Sequence, residues 1–147
     1  MSIRNASQKV GNDWVGYNLK ITQHRLRQRL ENELAELGIT AAQNAALLAI
    51  AVNPQISNAQ LARAAFVSPQ TMQNILVNLV RAGLVRRTPH PSHGRIIMSE
   101  LTDQGRKTVE AGARAADTVE KEMLTGLSES DIQMLNNLLK RCYTALK

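Results

Sequence analysis

The chain has 147 residues, of which 44% are hydrophobic and 20% are charged, and its formal net charge is +6. This length and apolar content exclude a disordered polypeptide and fit a single domain over residues 1–147. The longest apolar run, residues 45–52, is too short to span a bilayer, and residues 1–10 lack the apolar core of a signal peptide. The single cysteine excludes an internal disulfide and fits a reducing compartment. We therefore expect a cytoplasmic protein that does not associate with a membrane.

Most of the positive charge lies in the middle third of the chain. Residues 60–107 contain seven basic and two acidic side chains, a net charge of +5. Residues 1–59 carry +2 (six basic, four acidic), and residues 108–147 carry −1 (five basic, six acidic). A basic patch indicates a polyanionic partner such as nucleic acid or an anionic membrane surface. Because only 3% of the residues are aromatic, recognition of single strands by base stacking is not expected.

Helical patterns fill the first part of the chain. The first covers about residues 13–37 and is too long to pack along one small domain, which indicates contact with a second copy of the chain. Gly38 is a candidate C-terminal stop. Thr40 and Gln43 have the spacing of a capping box, which predicts a second, Ala- and Leu-rich helix that residues 53–55 end.

Two further helices are predicted on either side of a very short turn. Ser57 and Gln60 repeat the capping-box spacing and begin a short helix. Ser68 is the predicted N-cap of the next helix, and Pro69 takes its first position, where the missing N–H costs nothing. Two helices joined by so tight a turn predict a helix-turn-helix. The inner face of the second helix is apolar, with Met72, Ile75, Leu76 and Leu79 at three- and four-residue spacing.

The outer face of this second helix is mostly uncharged amide. Asn and Gln side chains pair with the N6/N7 edge of adenine, and an aliphatic group can contact a thymine methyl. We therefore predict that Gln70, Gln73 and Asn74 contact bases, with a solvated helix carrying polar filler as the alternative. Ser68 and Thr71 are predicted to contact phosphate at the helix N-terminus, although a purely capping Ser68 is equally consistent with the sequence. The outer face comprises Gln70, Gln73, Asn74, Val77 and Arg81.

A two-stranded hairpin is predicted after this helix. Residues 84–88 and 95–101 have strand-like patterns, and a turn-rich loop separates them. A hairpin directly after a helix-turn-helix is a wing, and Arg95 lies where its tip meets the returning strand. Arg81, Arg86 and Arg87 are predicted phosphate neighbours, with solvated surface arginines as the alternative.

Two amphipathic helices are predicted at the end of the chain. Thr102 can cap a helix over about residues 103–125, and residues 128–131 can cap a last one. We expect these helices (about residues 103–146) and the first helix (about residues 13–37) to form a dimerisation layer around a DNA-binding module of about residues 39–102. The alternative is that they fold back on one monomer. Cys142 lies on the apolar stripe of the last helix, which favours an inert core cysteine over a thiol sensor.

Other chemistries find little support in the sequence. The two histidines of residues 90–93 have no Cys, Asp or Glu at ligand spacing, so we expect no metal site and no cofactor. No Gly-rich phosphate loop or nucleophile–base motif is present, so we expect that the chain is not an enzyme. A sequence-tolerant architectural DNA-binding protein and a winged helix used only for protein contacts remain as alternatives.

The order of elements and several short motifs resemble the multiple-antibiotic-resistance regulator (MarR) family of bacterial transcription factors. The motifs are Gln60-Leu61-Ala62, Val67-Ser68-Pro69-Gln70-Thr71, the run from Leu79 to Arg87, and Gly94-Arg95 followed by Leu101-Thr102-Asp103-Gln104-Gly105. The resemblance implies a mainly α fold with a small two-stranded wing, that is, a winged helix-turn-helix with N- and C-terminal dimerisation helices. It also implies a homodimeric regulator, usually a repressor, that binds a pseudo-palindromic double-stranded DNA operator. Each 68–79 helix would enter a major groove, and each Arg95 would enter the flanking minor groove.

This chain departs from the family pattern at one position, and the resemblance also implies a binding site for a small ligand. The family usually has an aspartate two positions before the wing arginine, but this chain has His93, whose protonation would repel Arg95. Operator binding is therefore expected to weaken below about pH 6.5. Many family members also bind small, often aromatic, acids in a cleft between the dimer helices and the winged module. The candidates to line such a cleft are Trp14, Tyr17, Asn18 and Leu48, with ordinary packing as the alternative.

Overall fold

The computed structural model describes residues 14–147 as a mostly helical chain with one two-stranded sheet. Asp13, where the sequence suggested that the first helix begins, lies outside the described residues. None of the helices within residues 14–147 is long and apolar enough to cross a membrane. The elements in chain order are α1 (Val15–Ala35), α2 (Ala41–Val52), α3 (Asn58–Ala64), α4 (Pro69–Arg81), β1 (Val85–Pro89), β2 (Ile97–Leu101), α5 (Asp103–Met123) and α6 (Glu129–Ala145).

The predicted helix caps are confirmed. The side chains of Thr40, Ser57, Ser68, Thr102 and Ser128 each accept a hydrogen bond from the backbone N–H three residues on. Three of these caps, at α2, α3 and α6, are full capping boxes in which the third residue bonds back to the cap backbone. Each cap pairs first-turn N–H groups that the helix itself leaves without a partner.

One apolar core joins α2, α3, α4 and the sheet. The inner face of α4 is buried as predicted, and it packs against α3 with no more than 1% of Met72, Leu76 and Leu79 exposed. The core also reaches the end of α1 through Leu34. The largest fully buried side chains within residues 14–147 are Leu34, Leu47, Ile50, Leu61, Met72, Leu76, Leu79 and Val85.

The sheet is a single antiparallel hairpin in which Val85 pairs with Leu101 and Pro89 pairs with Ile97. The first strand is shifted by one residue from the predicted range of residues 84–88, and the second begins two residues later than the predicted range of residues 95–101 but ends at Leu101 as predicted. Leu84 instead closes the turn after α4, since its N–H bonds to the Leu79 carbonyl. At the other end, residues 95 and 96 belong to the loop because the Ile96 N–H bonds back to the His93 carbonyl.

A tight junction joins the ends of α4, the hairpin and α5. The Thr102 hydroxyl accepts from the Gly105 N–H at 3.0 Å and donates to the Gly83 carbonyl at 2.6 Å. The Thr102 N–H bonds to the Leu84 carbonyl at 3.1 Å. A Cβ at Gly105 would lie 2.0 Å from that same Leu84 oxygen, so α5 approaches the hairpin backbone at a distance that only glycine permits.

Helix α1 packs against α5 through its C-terminal half. Arg29 donates to Glu122 at 2.8 Å and to Glu33 at 3.0 Å, which ties the two helices together at the surface. The hydrogen bond and the charge of Arg29 lower the pKa of Glu122. Near the start of α1, by contrast, Trp14 and Leu19 remain about half exposed.

The last two helices differ in part from the sequence-based expectation. The buried positions of α5 are Gly105, Thr108, Gly112 and Val119. Val119 is buried as the sequence predicts, whereas three other members of the predicted apolar stripe are exposed. The stripe predicted from the sequence is Val109, Ala113, Ala116, Val119, Met123 and Leu127, of which Ala113, Met123 and Leu127 are exposed. The prediction is wrong at these positions because α5 meets α2 through glycine: a Cβ at Gly112 would lie 2.1 Å from the Asn44 side-chain oxygen.

Helix α6 buries none of its residues against its own chain. The expectation of a core Cys142 is wrong for the single chain, because the thiol is exposed. The apolar side chains left in solvent on α6 are Met134, Leu135, Leu138, Leu139 and Tyr143. The alternative that α6 folds back on its own monomer therefore has no support from burial.

The junction predicts that Gly105→Ala destabilises the fold by about 1–3 kcal/mol, because the new methyl overlaps a backbone carbonyl that cannot rotate away. The measurement is urea unfolding followed by circular dichroism. Gly94→Ala is the matched control, since no atom lies within 4 Å of the added Cβ, and its effect should stay within about 0.5 kcal/mol. Equal midpoints for the two variants would contradict the proposed close approach.

Candidate nucleic-acid interface

The outer face of α4 is a solvent-exposed row of amide side chains. Gln70, Gln73, Asn74 and Arg81 are all exposed, and 46% of Val77 is accessible between them. These positions share one side of the helix because the opposite side is fixed in the core. The structure thus presents all the predicted base-contacting residues together on one rigid surface.

Ser68 and Thr71, the two hydroxyl residues that we predicted to contact phosphate, have different hydrogen bonds at the start of α4. Ser68 Oγ accepts from the Thr71 N–H at 3.1 Å and donates to Thr71 Oγ1 at 2.9 Å. The Ser68 hydroxyl is therefore used within the cap. The Thr71 hydroxyl keeps its own proton for an outside acceptor, because it is the acceptor in that pair. Asn58 holds this end of α4 against α3 by donating to the Pro69 carbonyl at 3.1 Å.

The winged module has an unusual distribution of charge. Residues 37–99 contain five arginines but no lysine, aspartate or glutamate. Among residues 14–147, the carboxylates form no ion pair with Arg63, Arg81, Arg87 or Arg95. These guanidinium groups are therefore available to phosphate or to base edges, for which their planar fork is suited. No carboxylate within the segment opposes the approach of a polyanion.

The two consecutive arginines of β1 do not act together. Successive strand residues project from opposite faces, so Arg86 and Arg87 cannot both face the same phosphate. Arg86 lies across the hairpin from Glu100, with 3.9 Å between the two charged groups. Of the two, Arg87 is the stronger candidate for a phosphate contact.

The wing loop of residues 90–96 is organised by His90. The His90 N–H donates to the Ile96 carbonyl at 2.8 Å and closes the loop. The His90 ring reaches into the loop, where Nδ1 accepts from the Ser92 N–H at 3.0 Å and from the His93 N–H at 3.2 Å. Arg95 is exposed at the tip of the loop that these bonds hold.

Two contacts attach the hairpin to the connection between α2 and α3. The Ser99 N–H donates to the Pro54 carbonyl at 3.1 Å. The Gln55 amide lies 3.2 Å from His90 Nε2. The atom of Gln55 that faces the ring is Nε2. Since Nδ1 is an acceptor, the ring proton is on Nε2, so a hydrogen bond to Gln55 requires the two ends of its amide to be exchanged.

The structure does not bring His93 and Arg95 together. No hydrogen bond or ion pair joins them among the residues described, and the His93 ring lies 5.2 Å from the His90 ring instead. Within residues 14–147, no three His, Cys, Asp or Glu side chains are grouped to hold a metal ion.

The residues proposed for an effector cleft lie on two different helices. Tyr17 is partly buried in a groove of about 440 Å³ that runs along α1. Trp14 and Asn18 are exposed near it, whereas Leu48 is partly buried on α2 and does not line this groove. The single chain therefore does not assemble the predicted cleft. The groove is lined by Tyr17, Lys20, Ile21, His24, Arg25 and Gln28.

Three residues of this surface were not selected from the sequence as site residues. Arg63 lies in the last turn of α3, beside the turn of the helix-turn-helix. The absence of carboxylates over residues 37–99 was the signal that would have included it. His90 and Gln55 were not identified because their contact joins positions 35 residues apart.

Comparison with known proteins places this chain among bacterial regulators. A family model described as MarR family matches residues 37–96. The HTH-type transcriptional repressor Rv2887 of Mycobacterium tuberculosis is 35% identical over 124 residues, which cover 82% of this chain and 89% of Rv2887. The transcriptional regulator HosA of Escherichia coli is 32% identical over 129 residues, which cover 83% of this chain and 94% of HosA.

Solved structures have the same architecture. The crystal structure of Rv2887 in complex with salicylic acid superposes with a TM-score of 0.74 at 29% identity, covering 87% of this chain and 95% of that one. The S. aureus MepR–DNA complex superposes with a TM-score of 0.79 at 24% identity, covering 93% and 100%. The mainly α winged helix-turn-helix fold expected from the sequence is confirmed.

The geometry of the wing loop predicts the tautomer of His90. At neutral pH the proton should reside on Nε2, because Nδ1 accepts two backbone N–H groups. Long-range ¹⁵N NMR of the imidazole nitrogens distinguishes the two tautomers, and His90→Ala identifies the signal. Detection of an Nδ1–H tautomer would refute this account of the loop.

Proposed function

The chain belongs to the MarR family of transcriptional regulators, and we propose that it is a homodimeric repressor that reads a pseudo-palindromic DNA operator. Each α4 enters a major groove, and each wing directs Arg95 into the flanking minor groove. The relatives Rv2887 and HosA, a transcriptional repressor and a transcriptional regulator, support this class of function.

The exposed amide row on α4 carries the proposal. Gln70, Gln73 and Asn74 share one face of a helix whose opposite face is buried, so the backbone that presents them to base edges is already ordered. Around them the module has unpaired arginines and no carboxylates over residues 37–99. The arginines supply sequence-independent attraction to phosphate, and the amides supply discrimination between bases. An architectural DNA-binding protein would need only the attraction to phosphate and not the discrimination between bases.

Dimerisation is supported by the apolar surface that α6 leaves in solvent. Leu135 and Leu139 are each 38% exposed, and Met134 and Tyr143 are more exposed still. A second copy of the chain would cover this surface and would also bury Cys142. Twofold symmetry then presents two α4 helices to one face of the duplex, as half-sites one helical turn apart require.

A small aromatic acid is the proposed effector. Rv2887 has been solved with salicylic acid. In this chain, the α1 groove contains Lys20, His24 and Arg25 beside Tyr17, which suits a carboxylate attached to an aromatic ring. We place Trp14, Tyr17, Asn18 and Leu48 around the ligand only in the assembled dimer, where a second protomer can complete the cleft.

Selection of bound duplexes from a random pool tests the main proposal, and two variants then separate the roles of its residues. Arg95→Ala should weaken binding and lower the slope of log K against log salt by about 1.8 per dimer, since each cationic contact with the duplex that is lost removes about 0.9. Gln73→Ala should leave that slope unchanged and relax discrimination by about 1–3 kcal/mol at one base pair per half-site. Enrichment of no palindrome, with equal affinity for scrambled duplexes, would favour the architectural alternative.

The α6 surface predicts the oligomeric state. Wild type should sediment as a dimer at micromolar concentration, whereas Leu139→Glu should sediment as a monomer because it places a charge in the apolar interface. Gln133→Glu adds the same charge to an exposed polar position of α6 and should remain dimeric. A monomeric wild type would argue against the proposed dimer.

A further inference from the structure

The turn between α3 and α4 has a phenylalanine in a left-handed conformation. The Val67 N–H bonds to the Ala62 carbonyl at 3.0 Å and the Phe66 N–H bonds to the Arg63 carbonyl at 3.2 Å. This pair of hydrogen bonds defines a Schellman motif, whose left-handed position is usually glycine. Phe66 occupies it with φ of 55°.

The same chain uses glycine wherever else this geometry occurs. The end of α4 has the same pair of hydrogen bonds around Gly83. A side chain with a Cβ is strained in this region, whereas glycine adopts it freely. Within residues 14–147, the remaining positive-φ positions are Gly38, Gly83 and Gly126.

The ring of Phe66 does not offset this strain in the free chain. Its side chain is 94% exposed, more than any other large hydrophobic residue that the structure describes. The apolar contact of the motif is made by Ala62, which is buried, and by Val67, which packs on the core. Neither the backbone conformation nor the ring of Phe66 therefore stabilises the fold by itself.

The surroundings of Phe66 indicate what covers the ring. Phe66 lies two residues before Ser68, the N-cap of α4, and its backbone contacts Arg63, which forms no ion pair. When a helix-turn-helix docks, its first helix crosses the sugar–phosphate backbone and the N-terminus of the second enters the major groove. The turn between them then lies at the edge of that groove. The absence of carboxylates over residues 37–99 favours DNA over a basic protein as its neighbour.

We propose that Phe66 is a DNA-contacting residue whose ring packs on an apolar part of the operator at the edge of the major groove. Two groups of the duplex have this chemistry there, namely the deoxyribose carbons and the thymine methyl. The contact is uncharged, and it adds to affinity without displacing counterions. This inference rests on the proposed function, since it places an additional residue in the same DNA interface.

Two substitutions separate the ring from the backbone conformation. Phe66→Ala removes the ring but keeps the strain of a Cβ in the left-handed region. Phe66→Gly removes both. We therefore expect Phe66→Ala to melt within about 1 °C of wild type, and Phe66→Gly to melt about 2–4 °C higher. The gain for glycine is partly offset by its greater freedom in the unfolded chain.

Binding of both variants to a selected operator duplex, measured by fluorescence anisotropy over a range of salt concentrations, tests the contact. Each variant should bind about tenfold more weakly than wild type with an unchanged salt slope, in contrast to Arg63→Ala, whose slope should fall. Equal affinity of Phe66→Ala and wild type, or a reduced salt slope in Phe66→Ala, would overturn the proposal. A Phe66→Gly variant that melts below wild type would overturn the strain argument.

The outcomes separate this inference from the proposed function. If wild type enriches no duplex from the random pool, the proposed function fails. If wild type binds and Phe66→Ala binds equally well, only the role of Phe66 fails, and the ring is left for a protein partner. Replacing thymines of the half-site by deoxyuridine identifies the group contacted. If Phe66→Ala no longer lowers affinity for the deoxyuridine duplex, the ring contacts the thymine methyl. If the loss of affinity persists, the ring contacts the deoxyribose.

Discussion

The hydrogen bond from the Thr102 hydroxyl to the Gly83 carbonyl determines how the parts of the molecule are oriented. The same hydroxyl caps α5, and the Thr102 backbone bonds to Leu84. Therefore α4 ends within a few ångströms of both wing strands and of the start of α5. Gly105 makes that approach possible, since a Cβ there would overlap the Leu84 carbonyl. A rotation of α5 must consequently carry α4 and the wing with it.

The two elements proposed to face DNA are held by different forces. Helix α4 is anchored by fully buried side chains such as Met72 and Leu76, so the backbone that carries the amide row has little freedom. The wing loop has no comparable apolar anchor and depends on hydrogen bonds to His90. A rigid helix suits base readout, where donors and acceptors must align closely. A polar loop suits Arg95, whose long side chain can adapt to the width of a groove.

Local interactions explain most of what the sequence predicted correctly. The caps at Ser57, Ser68 and Thr102 and the buried face of α4 depend on residues no more than four apart, so spacing reveals them. The Arg86–Glu100 pair and the Gln55–His90 contact depend on partners far along the chain, which spacing does not identify. Of the buried positions of α5, Val119 was predicted, whereas Gly112 was missed because contact with α2 is made through glycine, which carries no hydrophobic signal. The exposure of Cys142 reflects a further limit, since only the second chain of the proposed dimer would cover the surface of α6.

Coupling between the proposed effector and DNA would follow from where these constraints lie. Helix α1 is tied to α5 by Arg29 and Glu122, and α5 is tied to α4 at Thr102. A ligand bound between α1 and its neighbours would therefore act on α5 first. Because α5 is joined to α4, a small rotation of α5 would change the separation of the two α4 helices in the proposed dimer. A palindromic operator has a fixed half-site spacing, so a changed separation would lower affinity even though every base-contacting residue is unchanged.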